Sequence, residues 1–388
     1  MLVRAIGMEI LQGIGWLFAN PVFYLAILFA IVLGYVRVKN ERKHFRIRLI
    51  DGWSELRGLV SETWVYALVL SVISVAAGLV IGSEILVFYS VILAVMIVLF
   101  MYVAGSPAIT APIAIGLLLL LTYVRNTPNV DVWNLSLSLE ASTFVGFGIL
   151  IGLLVVVEGL LISKKGDQLV SPRLEETTRG LKAATNRMKR LWLVPVVTIV
   201  PVGLLPDWLP YWPTFHMGDG TYGLVLFPFV IGFALKAKHS LPVTVIPRFG
   251  QAVLLIGLLM VALSLSGYWV KGLVFAAFIL GFIGRIGLSI FFGIKERAGN
   301  YAVAPKSEGV MIVGVLPESP AERMGLVVGE CIRKVNGQLV TNEQELYEAI
   351  QINAAHCRLE VLDFNGEVRL RQHVIYRHDH HRLGLLII

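Results

Sequence analysis

Residues 309–337 read GVMIVGVLPESPAERMGLVVGECIRKVNG, and the fold of the last quarter of the chain follows from this stretch. From Gly309 to Leu316 the apolar run has the length and unbroken character of a buried strand. Ser319 then stands where a helix cap accepts a backbone N–H, Pro320 suits the first helical position, and Glu322 completes an S-x-x-E capping box. Gly325 ends this short helix. A second strand runs through Cys331 and Ile332 to Val335, and Asn336-Gly337 supplies a tight turn.

Downstream, a second helix begins at Thr341 or Asn342, buries Leu346 and Ile350 at helical spacing, and gives way near Asn353. A hairpin follows from Arg358 to Phe364 and from Glu367 to Tyr376, turned by Asn365-Gly366. His378, Asp379, His380 and His381 are consecutive rather than spread over separated positions, so they read as a solvated turn and not as a metal site. Cys331 and Cys357 lack the spacing of a metal knuckle or redox pair and are expected to be reduced core residues.

SPAERMGL, GE-x-I and VNG followed by a helix, in this order and spacing, resemble the PDZ family in its bacterial style over roughly Ala298 to Ile388. The resemblance implies an α+β domain that takes an extended peptide as an added strand, with a glycine loop of backbone amides receiving a carboxylate. One departure stands out. The family's carboxylate loop and groove strand precede the segment matching GVMIVGVL, yet Tyr301 to Glu308 contains no such loop. The tail Arg382-Leu383-Gly384-Leu385-Leu386-Ile387-Ile388 resembles them relocated, as a circular permutation would place them. This assigns Leu383, Gly384 and Leu385 to the loop and Leu386 and Ile387 to the groove strand. Leu346 and Ala349 would line the helix side, with Asn342 near the groove's mouth. The alternative is that the tail is only the last strand of the core. If it is the loop, a bulky residue at Gly384 should abolish binding and spare the fold.

Upstream the chain changes character. Of its 388 residues 56% are hydrophobic and 15% charged, and mean hydropathy is +0.77, which marks a polytopic membrane protein. Runs long enough to cross, or nearly so, occupy 14–36, 64–82, 85–103, 108–124, 141–162, 191–206, 222–235, 251–268 and 272–294. The reading is about eight or nine transmembrane helices over a membrane domain 1–297, followed by a PDZ domain 298–388. The sixth and seventh runs are short and carry Pro195, Pro201 and Pro228, which suits a re-entrant piece. The first run is expected to be a retained span and not a cleaved signal, with Leu2 to Gln12 a possible interfacial helix.

Lysine and arginine collect after the first run, from Arg37 to Arg57, and again from Lys164 to Arg190. Both stretches belong in the cytoplasm by the positive-inside rule, whereas Arg125 to Glu140 and Asp207 to Thr221 suit the outside. Four crossings between the basic stretches and four after them put the terminal domain in the cytoplasm too. The net charge of +7 is thereby a matter of topology and membrane lipid, with no nucleic-acid partner implied. Glu158 and Arg285, in the cytoplasmic halves of their runs, read as snorkelling side chains, and Gly281, Gly284 and Gly287 as close helix packing. No catalytic or cofactor motif is present, so the sequence reads as a non-enzyme without cofactors.

The opening span, the basic stretch GYVRVKNERKHFRIR (34–48) and the terminal PDZ domain resemble, in order, the MinJ family of the Bacillus Min cell-division system. The resemblance implies a scaffold enriched at septum and poles that bridges DivIVA to MinD and MinC and so restricts FtsZ ring assembly. Two other classes stay open: an adaptor or regulator of a membrane protease, and a transporter with a regulatory PDZ domain.

Overall fold

The computed structural model describes residues 15–125, 141–177, 180–201, 214–217, 220–353, 356–374 and 383–388. The sequence readings at 2–12 and 378–381 fall outside them, as do 125–140 apart from Arg125 and 207–221 apart from 214–217 and 220–221. The helices are α1 (Pro21–Phe45), α2 (Ser54–Ser61), α3 (Trp64–Ala76), α4 (Ser83–Val98), α5 (Pro107–Arg125), α6 (Ala141–Lys165), α7 (Pro242–Ser266) and α8 (Leu273–Ala298). Among the described residues six helical segments are long and apolar enough to cross a membrane, α2 and α3 together forming one, and the shorter α4 is also apolar. The most apolar window of α6 is 83% buried inside the protein, against 28–44% for the other five. A helix hydrophobic all round is a central one, so α6 is the axis and its neighbours turn apolar faces outward.

Close approach of α6 and α7 explains their glycines. A Cβ on Gly159 would lie 2.5 Å from the Leu254 nitrogen, and one on Gly250 2.3 Å from Ser163 Oγ, the small-residue packing expected of membrane helices. Gly281 and Gly284 likewise abut Met260 and Ile256, but Gly287 faces open space, contrary to expectation.

The runs at 191–206, as far as it is described to Pro201, and 222–235 are not helices. They form two strands, β2 (Lys182–Pro201) and β4 (Gly220–Ala237), flanked by β1 (Ser171–Glu176) and β3 (Thr214–Met217) in the order β1-β2-β4-β3. β2 and β4 are antiparallel from Asn186 opposite Ala237 to Pro201 opposite Tyr222, about 50 Å at strand rise. Their β-branched and aromatic residues, such as Val194, Val196, Phe229 and Ile231, are buried in the same core as the helices. β-sheet at this depth requires that its edges be covered by protein, and they are. Thr63 Oγ1 donates to the Leu193 carbonyl at 2.5 Å, and the Val197 amide donates to Ser71 Oγ at 3.0 Å. Ile81 N donates to Ile199 O at 2.9 Å, and on the far edge Gly232 N donates to Gly105 O at 3.0 Å. Pro195 shares the outward parity of Leu193, Val197 and Ile199, so its missing N–H costs the ladder nothing.

Glu158 and Arg285 do not snorkel. Both are fully buried, and Arg285 Nε lies 2.9 Å from Glu158 Oε1. Ser106 Oγ donates to the other carboxylate oxygen at 2.5 Å, and Arg285 Nη1 donates to Ser289 Oγ at 2.6 Å. The cause is position: α6 is enclosed, so its carboxylate has no route to headgroups and takes the cation of α8.

The last quarter contains β5 (Val310–Val315), α9 (Pro320–Arg323), β6 (Cys331–Val335), β7 (Gln338–Leu339), α10 (Glu343–Gln351), β8 (His356–Leu362), β9 (Val368–Val374) and β10 (Leu385–Ile387). The sheet order is β10-β5-β6-β8-β9, with β7 beside β6. One sheet face packs on α9 and α10 through Ile312, Ile332, Val335, Leu346 and Leu359. The other contributes Met311, Val313 and Leu386 to a second buried cluster, which also holds Leu49 from the segment after α1, Ala184 of β2 and Val303. That cluster joins the terminal sheet to the two basic stretches, so all three lie together.

Candidate functional site

The site begins at the capped helix. Ser319 Oγ accepts from Glu322 N at 3.3 Å, and Glu322 Oε2 accepts from Glu318 N at 2.6 Å, so the S-x-x-E box forms with its return bond one residue early. This fixes α9, whose Ala321 amide donates to the Leu383 carbonyl at 3.0 Å, while Leu316 N donates to the Gly384 carbonyl at 2.8 Å. In a trans peptide the carbonyl and the following N–H point in opposite directions. The amides of Gly384 and Leu385 are therefore turned away from α9 and β5, side by side, as in an anion nest.

Gly384 adopts φ +79, in the left-handed region that side chains disfavour. A Cβ there would lie 2.3 Å from Ser319 Cβ. The expectation that a bulky residue at Gly384 would spare the fold is corrected by this contact, since the glycine is wedged against the cap that holds α9. Ser319 was legible as a cap but not as the wall of this loop, because the proximity depends on the chain's return 65 positions later (384 − 319).

Among the described residues β10 pairs only with β5, antiparallel, with Leu385 opposite Val315 and Leu386 opposite Gly314. Gly384 and Ile388 direct backbone groups at β5, so alternation turns those of Leu385 and Ile387 toward the open edge. Leu346 and Ala349 of α10 pack in one cluster with Leu383 and Leu385, with Ile387 against its margin. Of the sequence-assigned residues, these five thus lie in or against one cluster, with Gly384 between Leu383 and Leu385. Leu386 does not: its side chain is in the cluster with Leu49. Asn342 is exposed and occupied as the cap of α10, its Oδ1 accepting from Glu345 N at 2.9 Å and its Nδ2 donating to Glu345 Oε1 at 2.8 Å. Bonds from the Thr341 amide and hydroxyl outweigh slight burial and hold the Glu345 carboxyl below its ordinary value.

Cys331 and Cys357 are free and buried, and burial pushes the Cys357 thiol up to about 11, which makes it unreactive. Among the described residues no three His, Cys, Asp or Glu side chains converge as a metal site would require.

Residues 311–362, from β5 through β8, match the PDZ domain family. Over its whole length the chain is similar to the cell division topological determinant MinJ of Bacillus subtilis (strain 168), 30% identical over 388 residues, covering 98% of this chain and 96% of the relative. It is also similar to the probable cell division topological determinants MinJ of Lacticaseibacillus paracasei and Lacticaseibacillus casei (strain BD-II). Each is 28% identical over 245 residues, covering 62% of this chain and 64% of the relative. With the apolar helices, the terminal PDZ domain and similarity along almost the entire chain, this membrane protein belongs to the MinJ family of cell division topological determinants.

Proposed function

We propose that the protein is a multi-pass scaffold for division-site selection, its membrane domain spanning 1–297 and its cytoplasmic PDZ domain 298–388. In this reading it gathers at septum and poles, bridges DivIVA to MinD and MinC, restricts FtsZ ring assembly, and performs no catalysis. The peptide of a partner adds to the edge of β10, its carboxylate on the Gly384 and Leu385 amides, its side chains toward α10. The observation that supports this most is the pairing of an open strand edge with outward amides, on a sheet held firmly against the membrane part. Such a surface recruits and positions.

The test is a deletion strain with a fluorescent fusion on the full chain. Misplaced septa, septal and polar fluorescence, and co-purification with DivIVA or MinD are expected. Uniform membrane fluorescence with normal cell length would overturn the reading, and co-purification with a membrane protease alone would favour an adaptor.

A further inference from the structure

A cavity of about 80 Å³ opens between α1, the β1–β2 pair and residues 100–102. Its wall combines Arg173, Arg187, Lys189 and Ser171 with apolar Val36 and Phe100. The cations there are short of counter-charge. Arg37, also in the wall, is satisfied by Glu55 at 2.5 Å and Glu41 at 2.9 Å, which uses the one carboxylate of the lining. Arg187 is 3.4 Å from Glu175, but that carboxylate also holds Lys236 at 2.8 Å. Among the described residues no ion pair engages Arg173 or Lys189; the Lys189 ammonium lies over the Tyr102 ring, 5.1 Å from its centre. Ser171 Oγ, Arg173 Nε and Arg187 Nε are buried without a hydrogen-bond partner.

Burial and the charge of Arg187 lower the pKa of Arg173, and burial with Arg173 and Arg187 lowers that of Lys189. Half-buried like charges with unsatisfied donors, as Arg173 and Arg187 are, are costly unless an anion joins them, and Lys189 stands exposed at the rim beside them. The mouth indicates what carries the anion. Phe100 is half exposed, with Leu99 and Met101 exposed beside it, and Tyr35 and Val36 are exposed on α1, so an apolar surface of the membrane boundary leads directly to the cations. A soluble phosphate needs no such approach.

We propose that this cavity binds the phosphodiester of an anionic membrane phospholipid, with the acyl chains lying along Val36 and Phe100. The site holds one lipid in place, unlike the diffuse attraction that exposed basic residues exert on any anionic surface.

The experiment uses the full chain in nanodiscs of phosphatidylcholine with graded phosphatidylglycerol, bound lipid being counted by native mass spectrometry after detergent extraction. Wild type should retain one phosphatidylglycerol. The pair Arg173→Gln/Lys189→Gln should bind it about tenfold more weakly, while Arg42→Gln/Lys43→Gln, an equal charge loss at exposed positions of α1, should retain it. Arg173→Lys with Lys189→Arg keeps both charges and should bind, which separates charge from folding. Equal retention, or equal loss, in the two glutamine pairs would overturn the proposal. So would a wild type whose melting temperature rises no more with phosphatidylglycerol than with phosphatidylcholine, or one that inorganic phosphate stabilises as well as the lipid does.

Discussion

Glu158 and Arg285 stand 127 positions apart and meet at 2.9 Å with no water-exposed surface. Removing one partner leaves the other buried and uncompensated, which costs about 3–5 kcal/mol, whereas replacing both by apolar groups is often nearly neutral. Arg285→Met is therefore expected to lower the melting temperature of the solubilised protein sharply, and Glu158→Leu/Arg285→Met to recover most of the loss. A double-mutant cycle that shows simple additivity would mean the pair is not coupled. Both charges were conspicuous in the sequence, but their pairing was not, because position along a helix gives depth and not the direction a side chain faces. At Gly384 the same scale separates folding from binding. Gly384→Val should destabilise the domain by at least about 1–2 kcal/mol from its left-handed backbone alone, with the Ser319 clash in addition. Ile387→Pro removes an outward N–H and leaves the bonds to β5 intact, so it should keep the circular dichroism of wild type and lose partner binding. A folded Ile387→Pro variant with undiminished binding would remove β10 from the recognition surface.

At the scale of elements, the β2–β4 hairpin is what the sequence conceals best. Hydropathy is blind to the difference between a spanning helix and a strand enclosed by helices, and both runs passed as short spans. The signal lay in their brevity, in Pro195, Pro201 and Pro228, and in the β-branched sequence Val196-Val197-Thr198-Ile199-Val200. The PDZ elements, by contrast, were legible because turns and caps announce themselves locally at Ser319, Asn336-Gly337 and Asn342. What secures the hairpin is the cover on its edge, so Ser71→Ala should leave the Val197 amide without its partner and cost about 1–3 kcal/mol. Thr63→Val, which withdraws a donor from the Leu193 carbonyl, should act in the same direction. Ser266→Ala serves as control, since that hydroxyl is exposed and bonds only to its own helix. Denaturation of the solubilised protein that ranks the control with the other two would show that the edge bonds contribute nothing.

For the whole molecule, the hairpin also bears on topology. Two runs counted as crossings leave the list together, and a hairpin returns its chain to the side it left, so the parity that relates the middle basic stretch to the C-terminus is unchanged. Packing supports the same arrangement independently, because Leu49, Ala184 and Leu386 share one buried cluster and cannot be separated by a bilayer. The positive-inside rule makes the cytoplasm the expected side. Cysteines placed at Arg57, Leu181 and Glu308, all exposed, should resist an impermeant maleimide on intact cells and react once the cells are opened. Trp269, exposed in the short turn between α7 and α8, should label from outside when changed to cysteine. The native Cys331 and Cys357 are buried and can remain. Labelling of all three basic-side positions together, with Trp269→Cys protected, would invert the topology while keeping the fold. Labelling of Glu308→Cys alone would break the contact between the terminal sheet and the segment after α1, and with it the firm seat on which the scaffold reading depends.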